Sequence, residues 1–353
     1  MTRQCRSAWL CLTFASLSLL TACGGAESGS APSGRIAITV NSSGFGEIWV
    51  MDSDGENRTR LTTAGEAPTD AAGSTSPAWS PNGELIAFAS TGDGREEDQL
   101  DFEIYVMRPD GEEPQRLTND RVLDATPAWS PNGTRIAFAH LQEWGTEDLD
   151  GVIILMDTDG QNRAQLTRHP EAEMTFDADP TWSPDGKLIS FTRTTFLPDL
   201  VIHSAIFTIE PTGENERLLV DDGADPAWSP DERLVAFTST RDGNGETCFE
   251  ECRVNGEIYL MRSDGTGLRR LTTDEADDRS PAWSPDGTRI VFVSDRSDRA
   301  NHENEIYVMA ADGSDVIRIT TNEVWDLEPA WRSSALAVER AGGEAPRTTS
   351  PSG

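Results

Sequence analysis

The sequence predicts an all-β fold: a six-bladed β-propeller of four-stranded antiparallel blades, its ring closed by pairing the N-terminal strands with the last marker strand. Three observations predict it. A seven-residue marker, Pro77-Ala78-Trp79-Ser80-Pro81-Asn82-Gly83, returns nearly unchanged at Pro127 to Gly133, Pro180 to Gly186, Pro226 to Asp231 and Pro281 to Gly287, with a worn copy at Pro329 to Ser333. Its tryptophans, Trp79, Trp129, Trp182, Trp228, Trp283 and Trp331, recur about every 50 residues, the range of four-stranded blades rather than helical repeats. The chain also enters the pattern at Arg35 on a second strand and leaves it at Trp331 on a first, so complete units require the two ends to share one. Closure removes the unpaired edges that an open array would present.

Within a unit each element has a local reason. Ser-Pro-Asp/Asn-Gly suits a tight turn, because proline presets φ, Asp or Asn tolerates the next position and glycine closes it. The stretch after it is a buried strand: Leu85 to Ser90, Arg135 to His140, Lys187 to Arg193, Arg233 to Ser239 and Arg289 to Ser294. A third strand follows a loop of variable length, as in Glu103-Ile104-Tyr105-Val106-Met107, echoed at Glu47 to Met51, Val152 to Met156, Ala205 to Ile209, Glu257 to Met261 and Glu305 to Met309. The fourth is a short Arg-Leu-Thr element, as in Arg269 to Thr273. The six marker tryptophans are expected to pack between blades, each hiding ~150–250 Å², a gross contribution of ~4–6 kcal/mol as an upper bound.

The run from Pro-Ala-Trp-Ser-Pro-Asp-Gly through Arg-Ile-Ala-Phe, Glu-Ile-Tyr-Val-Met, Asp-Gly and Arg-Leu-Thr resembles the WD40-like repeat of TolB-type propellers, over about residues 35–331. The resemblance implies an exported member of that family rather than TolB itself, which carries a smaller N-terminal domain where this chain has a short linker. It further implies that turns after the first and third strands share one face and loops after the second and fourth share the other. The second set is long and acidic here, from Thr91 to Asp101, Leu141 to Gly151, Thr194 to Ser204, Thr240 to Gly256 and Asp295 to Asn304, and is the expected functional face.

Ahead of the repeats, residues 1–22 read as an export signal, with Arg3 and Arg6 before the short apolar run Ala8 to Leu20. Leu20-Thr21-Ala22-Cys23 resembles a bacterial lipobox, which would make Cys23 the lipidated N-terminus of the mature chain. Residues 23–34 are then a flexible tether. Gly24 after the cysteine resembles the sorting pattern for the outer membrane, periplasmic side. The tail, 332–353, has a disordered composition. Cys248 and Cys252 share one loop, and an oxidising compartment makes them a disulfide candidate.

The formal charge of −32 becomes −34 once Arg3 and Arg6 leave with the signal. Such a field repels nucleic acid and anionic membranes and favours cations or basic partners. Membrane contact is therefore expected only through the lipid, and the chain is expected to be a monomer.

Candidate site residues lie on the acidic loop face. Asp124, Asp177, Asp278 and Asp326 each stand three residues before a marker proline, with Asp222 one place earlier in another copy. They are candidates to ring the channel mouth and hold a divalent cation such as calcium, or a basic ligand; the alternative is that each caps its own turn. Trp144 and Trp325 are candidate partner anchors, or covers for a loop core. The implied function is a lipid-anchored envelope platform that docks a protein or peptide, or a glycan. The alternative is a metal-dependent lyase or hydrolase acting on a polysaccharide or peptide in the channel, because His140, His169, His203 and His302 share the loop face and resemble the metal-holding histidines of propeller lyases. No Gly-x-Ser-x-Gly elbow, phosphate loop or His-Glu-x-x-His motif occurs.

Overall fold

The computed structural model describes residues 34–42, 46–63, 73–91, 102–120, 122–142, 150–169, 174–196, 202–243, 255–298 and 303–332. The signal, Cys23, most of the linker and tail, Trp144, Cys248, Cys252 and His302 lie outside the described residues.

Among the described residues the chain forms 24 strands and no helix. In chain order they are β1 (Arg35–Asn41), β2 (Gly46–Asp52) and β3 (Thr59–Arg60); β4 (Ser74–Trp79), β5 (Ile86–Ser90), β6 (Glu103–Met107) and β7 (Gln115–Arg116); then β8 (Leu123–Trp129), β9 (Arg135–Gln142), β10 (Asp150–Asp157) and β11 (Ala164–Gln165). They continue with β12 (Thr175–Trp182), β13 (Ile189–Phe196), β14 (Ile202–Ile209) and β15 (Arg217–Asp221), and β16 (Ala224–Trp228), β17 (Leu234–Ser239), β18 (Glu257–Arg262) and β19 (Arg269–Arg270). The last are β20 (Asp278–Trp283), β21 (Arg289–Asp298), β22 (Glu303–Ala310), β23 (Ile317–Arg318) and β24 (Trp325–Trp331). β24 pairs antiparallel with β1, Ile36 facing Trp331 and Asn41 facing Trp325.

The sheets correct the expectation of six four-stranded antiparallel blades. Four stand as separate four-stranded blades: β24-β1-β2-β3, β4 to β7, β16 to β19 and β20 to β23. The other strands, β8 to β15, form one eight-stranded sheet in which β10 and β12 pair in parallel, Asp150 with Thr175 and Gly151 with Phe176. Gly151 supplies the physical reason. A Cβ there would lie 2.6 Å from the Phe176 Cβ and 2.4 Å from a Leu141 methyl, so only glycine lets the two backbones approach closely enough to bond.

The marker turn is held by its own side chains. In five copies the serine hydroxyl donates to the Asn or Asp two residues on, as Ser80 Oγ does to Asn82 Oδ1 at 2.8 Å, and accepts the N–H five residues on, Leu85 N at 2.9 Å. The closing glycines Gly83, Gly133, Gly186 and Gly287 have φ of 69–71°. In the fourth copy the same place is Glu232, at φ 65°, a left-handed conformation that costs a residue with a Cβ about 1–2 kcal/mol. Glu232→Gly is therefore expected to raise stability by roughly 1 kcal/mol, read as a higher urea midpoint at unchanged m-value. An unchanged midpoint would show that the turn is not strained.

Five of the fourth strands, β3, β7, β11, β19 and β23, span only two residues because a side chain finishes their work; β15, which has no such threonine, spans five. Thr62, Thr118, Thr167, Thr272 and Thr320 accept, through Oγ1, the N–H of Ile48, Ile104, Ile153, Ile258 and Ile306 at 2.8–2.9 Å. The Arg of Arg-Leu-Thr pairs with the Glu that opens the third strand, for example Arg116 Nη2 to Glu103 Oε1 at 2.6 Å.

Hydrophobic clusters lie between neighbouring sheets. Ile36, Ile38 and Val40 of β1 pack on Val291, Val293, Ile306 and Val308 of β21 and β22, while Ala37, Ile48 and Val50 meet Trp79, Ile86 and Phe88. The marker tryptophans sit at these junctions, reaching back to the preceding unit. Trp129, Trp182 and Trp283 Nε1 donate to the carbonyls of Ala78, Ala128 and Ala227 at 3.1–3.3 Å, and Trp228 Nε1 donates to Ser190 Oγ at 3.0 Å. Trp79 lies under the Arg332 guanidinium and Trp331 is buried.

Candidate functional site

Each marker strand is broken at the same point. Ladder registers shift between Thr75 and Ala78, Ala125 and Ala128, Ala178 and Thr181, Ala224 and Ala227, and Arg279 and Ala282, with the matching shift on β24 opposite Ala37 and Thr39. The residue inserted before the marker proline is left-handed in all six: Ser76, Thr126, Asp179, Asp225, Ser280 and Glu328, at φ 48–55°. A bulge of this kind re-aims the side chain it carries. These six side chains and the marker Pro, Ala and Trp residues line one cavity of about 580 Å³.

The polar side chains of the cavity also tie the ring together. Glu328 Oε2 accepts the Thr39 and Thr75 hydroxyls at 2.7 and 2.6 Å and the Ser76 N–H at 2.7 Å, while Oε1 accepts the Ser76 hydroxyl at 3.2 Å. Asp225 Oδ2 accepts Ser280 N and the Thr238 hydroxyl at 3.1 and 2.9 Å, and Thr126 Oγ1 accepts Asp179 N at 3.2 Å. Thus at three of the six junctions the pre-proline side chain of one unit holds the pre-proline N–H of the next, while the Asp225 N–H goes instead to Thr192 Oγ1 at 3.1 Å.

Four carboxyl groups line the cavity, Asp179, Asp225, Glu232 and Glu328, and no Lys, Arg or His is among the described lining residues, although Lys187 lies within Coulombic reach of Glu232. Asp179 carries the consequence. Burial first, then the charges of Asp225 and Glu328, push its carboxyl up to about 8, so it holds its proton at neutral pH. A cationic group entering the cavity would let that proton leave and would then have four carboxylates in the lining around it.

The aspartates singled out in the sequence lie elsewhere, and none lines the cavity. Asp124, Asp177, Asp278 and Asp326 are fully buried. Asp124 Oδ1 meets His140 Nδ1 at 2.7 Å; Asp177 takes Arg193 Nε and Nη2 at 2.8 and 3.0 Å; Asp278 takes Arg296 Nη2 at 2.6 Å; Asp326 takes Arg58 Nη2 at 3.1 Å and Asn322 Nδ2 at 2.7 Å. Burial pushes the Asp124, Asp278 and Asp326 carboxyls up. Asp222 is half-buried and accepts the Thr240 hydroxyl at 3.2 Å. Trp325 is partly buried at the start of β24, paired with Asn41.

These ion pairs explain the near-exclusive use of arginine, Lys187 being the sole lysine. Arg193 stacks 4.5 Å over Phe207 and 5.3 Å over Phe191 while gripping both Asp177 oxygens, and Arg296 lies 5.3 and 5.0 Å over Phe292 and Tyr307 while holding Asp278. A planar guanidinium stacks and bonds in two places at once, which an ammonium cannot.

The described histidines do not converge. His140 pairs with Asp124, and His203 Nε2 lies 2.8 Å from Asp221 Oδ1. His169 Nδ1 lies 3.0 Å from Asp150 Oδ1, and its Nε2 lies 2.9 Å from Asp177 Oδ2 without the alignment of a hydrogen bond. None lines the cavity.

Sheets built from one repeat, each unit lending a polar side chain to a common cavity, define a β-propeller scaffold. The profile of the TolB β-propeller domain matches residues 96–256 and 140–340, more than half of the chain, and the chain belongs to that family. A TolB homologue of Chlorobium luteolum is 31% identical over 140 residues, 39% of this chain and 27% of that protein. The match thus spans little more than a quarter of the curated relative's length. Among solved structures, TolB from Acinetobacter baumannii superposes with TM-score 0.65 at 19% identity, covering 86% of this chain and 68% of that one. Hydrazine synthase from Kuenenia stuttgartiensis reaches the same TM-score at 14% identity, over 85% and 47%. Likeness at this level shows the fold, which by itself selects no function.

Proposed function

We propose that the chain is a lipid-anchored propeller of the bacterial cell envelope that binds a protein partner by taking a basic segment into the marker-lined cavity. The observation that carries this is the cavity itself: about 580 Å³, four carboxylates and no cationic side chain in the lining. The acidic net charge favours the same class of partner at longer range. Membership of the TolB β-propeller domain family supports a binding role in the envelope, and the lipobox-like Leu20 to Cys23 supports tethering by a lipid on Cys23, with Gly24 favouring the outer membrane. Calcium would compete for the same carboxylates.

The test is calorimetric titration of the mature chain with a Lys/Arg-rich decapeptide and with its Asp/Glu-rich counterpart, each in chelator and again in calcium. Only the basic peptide is expected to bind, less tightly in calcium, and Asp225→Asn combined with Glu232→Gln is expected to weaken it about tenfold, ~1.4 kcal/mol. Equal binding of both peptides, or an affinity unmoved by the double substitution, would reject the cavity as the docking site.

A further inference from the structure

The repeat provides internal controls for one of its own units. In the Trp331 unit, buried Asp326 is neutralised by Arg58, and Asn322, four residues earlier, donates Nδ2 to its Oδ2 at 2.7 Å. In the Trp182 unit, Arg193, the cross-strand partner of Asp177, covers both carboxylate oxygens. The Trp129 unit fills the same two places differently. Asp120 stands four residues before Asp124 and makes the turn that Asn322 makes, its Oδ1 accepting Val122 N at 3.2 Å as Asn322 Oδ1 accepts Val324 N at 2.9 Å. His140 is the cross-strand partner of Asp124.

A carboxylate in the place of Asn322 lacks the amide N–H that Asn322 donates to Asp326. Asp124, 0% exposed, keeps an Oδ2 with no hydrogen-bond partner, and so does Oε2 of neighbouring Glu103. The Thr118 hydroxyl, beside both, has one proton to divide between them. Such an orphaned buried oxygen calls for a positive partner. One carboxylate oxygen each from Asp120 and Asp124 and a ring nitrogen of His140 lie within 4.8 Å of one another. Arg163 Nη1 lies 3.0 Å from Asp120 Oδ2.

We infer that Asp120, Asp124 and His140 bind a divalent transition-metal ion that replaces the amide and guanidinium donors of the sister units. An imidazole with two carboxylates suits zinc or manganese rather than calcium, which takes oxygen ligands. The site is separate from the marker-lined cavity, so it stands or falls independently of the peptide-binding proposal.

The experiment titrates the chelator-treated mature chain with Zn²⁺, Mn²⁺ and Ca²⁺, following heat and thermal midpoint. Zinc or manganese is expected to bind one per chain and raise the midpoint, with calcium at least tenfold weaker. Asp120→Asn installs the donor of Asn322, and His140→Arg installs the guanidinium of Arg193. Each variant is expected to keep or raise the metal-free midpoint and to lose at least 100-fold in zinc affinity. Because the variants copy arrangements that already fold here, the metal-free midpoint separates lost binding from lost structure. A Co²⁺ absorption spectrum of the unaltered chain, expected to report nitrogen coordination, needs no variant. Absence of stoichiometric binding by the unaltered chain, or zinc affinity that survives both substitutions, overturns the inference.

Discussion

Glu328→Ala is expected to lower stability by about 3–5 kcal/mol. One carboxylate there receives two threonine hydroxyls, a serine hydroxyl and a backbone N–H from β1 and β4. Removing it leaves the Ser76 N–H without its closest acceptor and the hydroxyls without theirs; Thr39 is buried and Thr75 and Ser76 are half-buried, and a donor stranded away from water costs about 1–3 kcal/mol. Thr39 Oγ1 still accepts Ser76 N at 3.2 Å and recovers part of the loss. Glu328→Gln keeps an acceptor oxygen and is expected to cost only about 1 kcal/mol. Denaturant unfolding of both variants checks the ordering. Equal, small losses would mean that this junction is held by packing alone.

Asp179→Asn is expected to act with the opposite sign, and only over a defined pH window. The folded carboxyl titrates at about 8, while an unfolded Asp titrates at ~4. Between those values the native state holds a proton that the unfolded chain has released, so stability falls as pH rises from the lower value to the upper and then levels. Asparagine has nothing to release. The variant should match the parent near pH 4 and exceed it at pH 8 by about 1–3 kcal/mol, seen as a higher thermal midpoint that widens with pH. Parallel midpoint-against-pH curves for the two proteins would show that Asp179 is ionised in the native state at neutral pH.

The repeat and its strand types were legible because the turn chemistry is written into each copy. Ser80, Asn82 and Gly83 perform the roles that their identities announce. The joining of two units into one eight-stranded sheet was not legible, because it depends on the register between β10 and β12 and on the space left by Gly151, one glycine among 30. The cavity lining was missed for a related reason. On an unbroken strand, the residues one and three places before the marker proline share a face, so the pattern alone does not separate Asp124, Asp177, Asp278 and Asp326 from the residues two places on. The bulge separates the two positions, leaving the first at the cavity and burying the third against Arg or His. A faint signal existed: the residue before the marker proline is Ser, Thr, Asp or Glu in every copy, although a left-handed position is costly for any of them. The histidines misled in a similar way, since their shared loop face did not bring the three described ones to one point.

The pairing of β24 with β1 also sets a timetable. Ile36 and Trp331, almost 300 positions apart in the chain, are partners in one ladder. During synthesis from the N-terminus, β1 and β2 therefore emerge long before the strand that completes their sheet, and a contact of such separation must wait for the loop between its ends to close. Until then β1 offers a bare edge with Ile36, Ile38 and Val40 along it, an invitation to pair with another copy. For this chain the hazardous interval is the one before β24 arrives, and a chaperone that shields β1 and β2 would protect it where thermodynamic stability cannot.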